Sequence, residues 1–188
     1  MKVLKAELIA LAALFALSLA ATTALAAPAT PKAEMPDAAR IAKSVHKELV
    51  TLPYYGVFDN LAYKVEGDTV TLYGQVVRPV TRSDAEHRVA RIAGVDHVIN
   101  QIEVLPLSSF DDSIRIRTYH AVFRTDSLYR YAMGANPSIH IIVDHGHVTL
   151  EGVVANKMDR QLAYIAANRV PGVFSVTNNL RLEHDEVR

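Results

Sequence analysis

Val70-Thr71-Leu72-Tyr73-Gly74 returns 78 residues later as Val148-Thr149-Leu150-Glu151-Gly152. The similarity extends outward on both sides of these stretches without a gap. Between 65–104 and 143–182, 13 of 40 aligned positions are identical. A gapless match of this length indicates an internal duplication, which is the first feature to seek in an unfamiliar sequence. We therefore expect two copies of one small domain.

The first copy alternates between helical and strand periodicity, with turn residues between the segments. Gly74 lies inside a strand pattern, where a missing side chain favours a bulge or a close backbone approach. The predicted elements are, in order, a helix at 37–50, strands at 61–65 and 70–76, a helix that a Ser83-Asp84-Ala85-Glu86 capping box would start, and a strand at 98–105.

The second copy repeats this order, with a longer first helix. Its predicted elements are a helix at 111–131, strands at 139–143 and 147–154, a helix at 159–170 and a strand at 175–182. Three strands with two helices on one face form two layers around one core. The sequence therefore predicts an α+β fold of two tandem αββαβ domains, each with a three-stranded sheet.

The N-terminus has the pattern of a secretory signal peptide. Lys2 and Lys5 precede an apolar run at 8–19, and Ala24-Leu25-Ala26 provides a cleavage site. The apolar run is short for a permanent membrane helix, which needs about 20 residues, although a retained anchor stays open. We expect export to the periplasm after cleavage near Ala26. The predicted segments are a signal peptide at 1–26, a flexible segment at 27–36, domains at 37–105 and 111–183, a linker at 106–110 and a tail at 184–188.

Composition excludes several classes of function. The chain has no cysteine, which excludes an N-terminal lipid anchor, disulfide stapling and thiol catalysis. Its 20 basic residues balance its 20 acidic residues. A protein whose main task is nucleic-acid binding would show a basic excess. We expect no nucleic acid, nucleotide or other cofactor among its ligands.

Few residues suggest chemistry. Asp144, His145 and His147 are metal-ligand types, but they occupy the place of an ordinary hairpin turn, and a zinc site needs three or four convergent ligands. Asp111 and Asp112 are neighbours at a helix start, where carboxylates favour the positive end of the helix. We interpret them as helix-capping residues and predict no metal site and no enzymatic activity.

The repeated motifs resemble the BON domain. The resemblance lies in Val70–Val76 with Gly94-Val95 and Val98-Ile99-Asn100, and in Val148–Val154 with Gly172-Val173 and Val176-Thr177-Asn178. A signal peptide followed by two such domains is similar to periplasmic proteins that are induced by osmotic stress. The resemblance implies a periplasmic protein without catalysis that associates with phospholipid membranes.

The first helix of the second copy is the candidate binding surface. On a helical wheel, apolar and aromatic residues gather opposite the predicted core face, beside arginines, a composition that suits anionic headgroups. The predicted site residues are Arg115, Ile116, Arg117, Tyr119, Phe123, Arg124 and Arg130. We expect them to bind anionic phospholipid. Two alternatives remain open: docking of an envelope protein, as an interaction module or stress holdase, and packing of this face against the first domain.

Overall fold

The computed structural model describes residues 37–125, 127–134 and 136–184. The predicted signal peptide and the flexible segment lie outside these residues. The first repeat consists of α1 (Asp37–Val50), β1 (Asn60–Glu66), β2 (Thr69–Val76), α2 (Pro79–Val89) and β3 (His97–Val104).

The second repeat follows the same order. It consists of α3 (Ser109–Phe123), a short 3-10 helix (Tyr129–Ala132), β4 (Ile139–Asp144), β5 (His147–Val154), α4 (Lys157–Asn168), β6 (Ser175–Asn178) and β7 (Arg181–Leu182). The last strand of this repeat is thus divided into β6 and β7, which both pair with β5. The predicted α+β fold with a duplicated αββαβ order is confirmed.

Each sheet is built around the strand that carries the repeated motif. β2 pairs antiparallel with β1 and parallel with β3. In the same way, β5 pairs antiparallel with β4 and parallel with β6. The registers correspond as well, because Val70 lies opposite Val98 and Val148 lies opposite Val176.

The two motif glycines allow the neighbouring strand to approach closely. A Cβ atom on Gly74 would lie 2.0 Å from the carbonyl oxygen of Asn60, and one on Gly152 would lie 2.0 Å from that of Ser138. Both glycines have a positive φ, at 113° and 117°, in a region that residues with side chains avoid. The close backbone approach predicted at Gly74 is confirmed.

Each repeat has its own apolar core, and the first repeat contributes to the second core. The first core contains Ile41, Val45, Leu49, Leu72 and Val89, and the second contains Ile114, Val122, Leu128, Ile141 and Leu150, among others. Val57 and Phe58, from the loop between α1 and β1, pack against the second core. The amide of Ile141 also donates a 2.7 Å hydrogen bond to the carbonyl of Val57.

Two helix boundaries differ from the prediction by more than two residues. α2 begins at Pro79 rather than at a Ser83 capping box, because proline supplies the dihedral angle that suits the first helical position. α3 ends at Phe123 rather than at residue 131. The chain turns back there, with the Leu128 amide bonded to the Thr125 carbonyl, so that Leu128 and Tyr131 enter the second core.

Candidate functional site

Arg115 was predicted to meet lipid headgroups, but it is buried, with 3% of its surface exposed. Its guanidinium donates a 2.7 Å hydrogen bond to the carbonyl of Val143, at the end of β4, and a 2.6 Å hydrogen bond to the carboxylate of Asp112. A long arginine side chain on α3 can reach the adjacent strand, which the wheel does not take into account. Arg115 therefore joins α3 to the sheet and is absent from the surface.

Phe123 was expected on the outward side and instead belongs to the second core, with 5% of its surface exposed. Its ring lies 4.9 Å from that of the partly buried Tyr119. The Tyr119 ring in turn meets Phe58 of the first repeat edge-on at 6.3 Å. The positions of Phe123 and Tyr119 thus agree with the alternative interpretation, in which this side of the helix packs against the first domain.

Arg130 is not on α3, because the helix ends seven residues earlier. Its guanidinium pairs with the buried carboxylate of Asp159, which also accepts hydrogen bonds from the Tyr131 hydroxyl (2.6 Å) and the Asn156 amide (3.0 Å). Burial alone would raise the pKa of Asp159, but the bonds from Tyr131 and Arg130 outweigh it, so this pKa lies below its ordinary value. Arg130 thus anchors the 3-10 helix to the start of α4.

Four of the predicted residues do reach the surface, and one of these, Arg130, is exposed but paired with Asp159. Ile116 is 51% exposed, and Arg117 and Arg124 are exposed as well. Ile116 and Arg117 lie in the first half of α3, beside Ser113. Arg124 is the residue that ends the helix. The predicted binding surface is therefore reduced to two separate places, one at Ile116 and Arg117 and the other at Arg124.

Two exposed phenylalanines, which the sequence analysis did not single out, extend the surface beside Arg117. Phe110 is 46% exposed and Phe174 is 69% exposed, and their ring centroids are 6.0 Å apart. A Cβ on Gly172 would lie 3.4 Å from both the Arg117 guanidinium and the Phe110 ring. Phe110, Phe174 and Arg117 are therefore neighbours, and we refer to these three residues as the aromatic patch.

Gly146 lies beneath this patch and has a positive φ of 79°, which favours glycine. A Cβ atom on Gly146 would lie 2.7 Å from the ring of Phe174. Gly146 is held by a 2.8 Å hydrogen bond from its amide to the carboxylate of Asp111. The β4–β5 turn thus lies directly beneath the exposed ring of Phe174.

The first repeat carries carboxylates at the equivalent places. The repeat alignment matches Phe174 with Asp96. The buried residues Ile41, Val45 and Leu49 of α1 correspond to Ile114, Thr118 and Val122 of α3, and this register matches Phe110 with Asp37. The same fold thus presents two aromatic rings in one repeat and two acidic groups in the other. This substitution between the repeats is the signal that could have identified the patch from sequence.

The remaining candidate residues have structural roles. Ser108 caps α3 by accepting the Asp111 amide at 3.1 Å. Asp111 itself, predicted to cap the helix, instead accepts the amides of His145 and Gly146 in the β4–β5 turn. His147 lies 2.7 Å from the Ser175 hydroxyl.

Residues 37–125, 127–134 and 136–184 contain no cluster of three or more acidic, histidine or cysteine residues arranged to hold a metal ion. None of the helices within these ranges has the length and apolar character required to cross a bilayer.

The similarity of the chain to curated sequences and to solved structures is limited. No curated protein sequence matches the chain significantly. Two solved structures of CdsD, a structural protein of the type III secretion system of Chlamydia trachomatis, are similar at 10% and 11% identity, each with a TM-score of 0.27. The first covers 74% of this chain and 96% of the CdsD chain, and the second covers 79% and 95%. A TM-score of this size supports no structural argument.

The family comparison is specific. Residues 36–106 and 130–183 each match the model of the BON domain. These two segments together span more than half of the chain and contain both copies of the repeated motif, and the predicted resemblance is confirmed. The chain therefore belongs to the BON domain family.

Proposed function

We propose that this protein is a non-enzymatic periplasmic envelope protein that attaches to anionic phospholipid membranes through its second BON domain during envelope or osmotic stress. The observation that carries the proposal is the aromatic patch, where Phe110 and Phe174 replace the carboxylates Asp37 and Asp96 of the first repeat. The family resemblance, which implies a periplasmic protein that associates with phospholipid, supports the same proposal.

The composition of the patch suits the boundary between headgroups and acyl chains. Exposed aromatic and aliphatic side chains partition into this boundary, and neighbouring cations attract anionic lipid. Phe110, Phe174 and Ile116 supply the apolar contact, while Arg117 supplies charge. Each cation near an anionic surface contributes about 1 kcal/mol, and salt screens the attraction. We therefore expect weak and reversible attachment.

The test is flotation of the mature chain with vesicles. We expect the protein to float with vesicles that contain anionic phosphatidylglycerol, at low salt, and to remain in the bottom fraction with purely zwitterionic vesicles. High salt should reduce flotation, because the Debye length falls from about 10 Å at 0.1 M to about 3 Å at 1 M. Failure to float with anionic vesicles at low salt would overturn the proposal and leave docking of an envelope protein as the use of this patch.

Two matched substitutions locate the contact. Phe174→Asp copies the residue of the first repeat and should abolish flotation. Met158→Asp is the control, because Met158 is exposed to a similar extent, 66% against 69%, but lies on α4. Both variants should keep the thermal stability of the native chain. Equal flotation of Phe174→Asp and native protein would show that membrane attachment does not use the patch.

A further inference from the structure

A second surface feature lies at the opposite end of α3 from the aromatic patch. It is a groove of about 420 Å³ between the last turn of α3 and the 3-10 helix. Ligand sites in proteins are typically about 300–1,000 Å³, so the groove is large enough for a small molecule. The residues that line it are Tyr119, His120, Phe123, Arg124, Tyr129 and Ala132.

Both walls of the groove are fixed by hydrogen bonds within the protein. On one side, the Arg124 amide closes the helix by donating to the His120 carbonyl at 3.1 Å. On the other side, the Tyr131 hydroxyl donates to the Asp159 carboxylate at 2.6 Å and accepts the Ala155 amide at 2.9 Å. The 3-10 helix is thus held to the start of α4, and the groove is formed without a ligand.

The groove combines an apolar interior with positive charge at its edge. The rings of Tyr119 and Phe123 pack 4.9 Å apart along α3, and Tyr129 and Ala132 form the facing wall. None of the six residues that line the groove is acidic. Arg124 is exposed and forms no ion pair with a carboxylate in the described part of the chain. Its guanidinium is therefore available to an anion.

The groove also departs from the pattern of the first repeat. The connection from α3 to β4 is six residues longer than that from α1 to β1, and the 3-10 helix lies within the added length. One wall of the groove, the 3-10 helix, therefore has no counterpart in the first repeat, whereas the other wall, α3, corresponds to α1.

From these observations we propose that the groove binds one molecule of an anionic amphiphile, a single acyl chain with a carboxylate or phosphate head. The chain would lie between Tyr119 and Tyr129 and against Ala132, and the head would pair with the Arg124 guanidinium through charge-assisted hydrogen bonds. This site goes beyond the proposed membrane attachment and does not depend on a bilayer.

The test is equilibrium dialysis or titration calorimetry of the mature chain with dodecanoate, below the concentration at which dodecanoate forms micelles. We expect saturable binding of one dodecanoate per protein molecule. Dodecyltrimethylammonium, which has the same chain and a cationic head, should bind at least about tenfold more weakly. Absence of saturable dodecanoate binding, or equal binding of the two amphiphiles, would overturn the proposal.

Substitutions assign the binding to the groove. Ala132→Phe fills the apolar interior and should abolish dodecanoate binding. Arg124→Gln removes the surface cation without disturbing the core, and should weaken binding about tenfold. Arg82→Gln removes an exposed arginine of the first repeat and serves as the control with native affinity. Because Arg124 is exposed, misfolding would be a poor explanation for weakened binding in Arg124→Gln. Native affinity in this variant would refute the assignment.

Vesicle flotation of the same variants separates this site from the proposed membrane attachment. Ala132→Phe should lose dodecanoate binding and still float with anionic vesicles. If the native chain binds dodecanoate but fails to float, the groove stands and the proposed function falls. If the native chain floats but binds no monomeric dodecanoate, the groove proposal alone is overturned.

Discussion

The carboxylate of Asp111, in the first turn of α3, accepts a 2.8 Å hydrogen bond from the amide of Gly146, in the turn between β4 and β5. The same carboxylate accepts the amide of His145 at 3.1 Å, and Asp111 is only 2% exposed. His145 has a positive φ of 49°, which is uncommon for a residue with a side chain. The hydrogen bonds of Asp111 thus offset the conformational strain of a turn that lies more than 30 residues away in the sequence.

Removal of this carboxylate should destabilise the second repeat. Asp111→Ala leaves two turn amides without their acceptor, and an unsatisfied buried polar group costs about 1–3 kcal/mol. We therefore expect the free energy of unfolding, measured in urea, to fall by about 2 kcal/mol or more. Ser113→Ala, an exposed change on the same helix, should alter it by less than about 0.5 kcal/mol. Equal stability of the two variants would contradict the role of Asp111.

The two arginines Arg115 and Arg117 should behave in opposite ways, although the sequence analysis treated them alike. Arg115→Gln removes the donor to the buried Val143 carbonyl, and we expect a loss of about 1–3 kcal/mol in unfolding free energy. Arg117→Gln should leave stability unchanged and reduce flotation with anionic vesicles. Thermal unfolding and flotation of both variants provide the comparison. A stable Arg115→Gln variant with weakened flotation would favour the original surface assignment.

Gly152 should tolerate no side chain. A Cβ atom would clash with the carbonyl of Ser138, and the positive φ adds conformational strain. Replacing glycine by alanine stabilises a protein by up to roughly 1 kcal/mol, because alanine restricts the unfolded chain. At a position that strains the folded chain, the loss in unfolding free energy exceeds this gain. We expect Gly152→Ala to lower the unfolding free energy by at least about 2 kcal/mol. Gly56→Ala is the control, because no atom lies within 4 Å of the position that its Cβ would take, and it should remain close to native in a thermal melt.

His140 should make the contact between the repeats sensitive to pH. Its Nδ1 lies 3.3 Å from the Gly56 carbonyl, and its Nε2 lies 3.5 Å from the Tyr55 hydroxyl. Burial lowers the pKa of His140 from 6.5, and burial raises the pKa of Tyr55 to about 12. The carboxyl groups of Asp59 and Glu151 also face this imidazole and partly oppose the effect of burial.

The sign of the pH effect follows from the lowered pKa. As the pH is lowered, His140 takes up a proton in the unfolded chain at a higher pH than in the folded chain. The contribution of neutral His140 to the free energy of unfolding is therefore complete above about pH 6.5 and decreases as the pH falls toward the folded-state pKa. Burial raises the pKa of Asp59 above 3.8, which gives the opposite trend at lower pH. We expect His140→Gln to reduce the slope of stability between about pH 7 and pH 5.5. An unchanged slope, measured by urea unfolding, would exclude His140 as its source.

The duplicated fold was predictable because it rests on local periodicity and on a motif that occurs twice. Alternating apolar residues such as Val70 and Leu72 form the buried side of β2, and Gly74 has the role that its position in the strand predicts. Both signals lie within a few residues of each other in sequence. They specify strands and tight turns without reference to distant parts of the chain.

The binding surface was predicted less well because it depends on where a helix ends. A wheel drawn through residue 131 continues a helix that stops at Phe123. It therefore assigned Phe123 and Arg130 to one face, although the chain reverses between them. Contacts between distant residues, such as Arg115 with Val143, are likewise invisible to a local pattern. The exposed pair Phe110 and Phe174 becomes a pair only when α3 and the loop before β6 pack together.

The hydrogen bond from Ile141 to Val57 occupies a position on β4, the outer strand of the second sheet. Val57 and Phe58 also pack on the second core. If the second repeat were excised, it would lose both contacts, and an open strand edge would lie beside uncovered apolar surface. Open edges of this kind promote self-association. An isolated second repeat would thus be prone to aggregate. Although the two copies are homologous, the second depends on a segment of the first to cover its strand edge and its core.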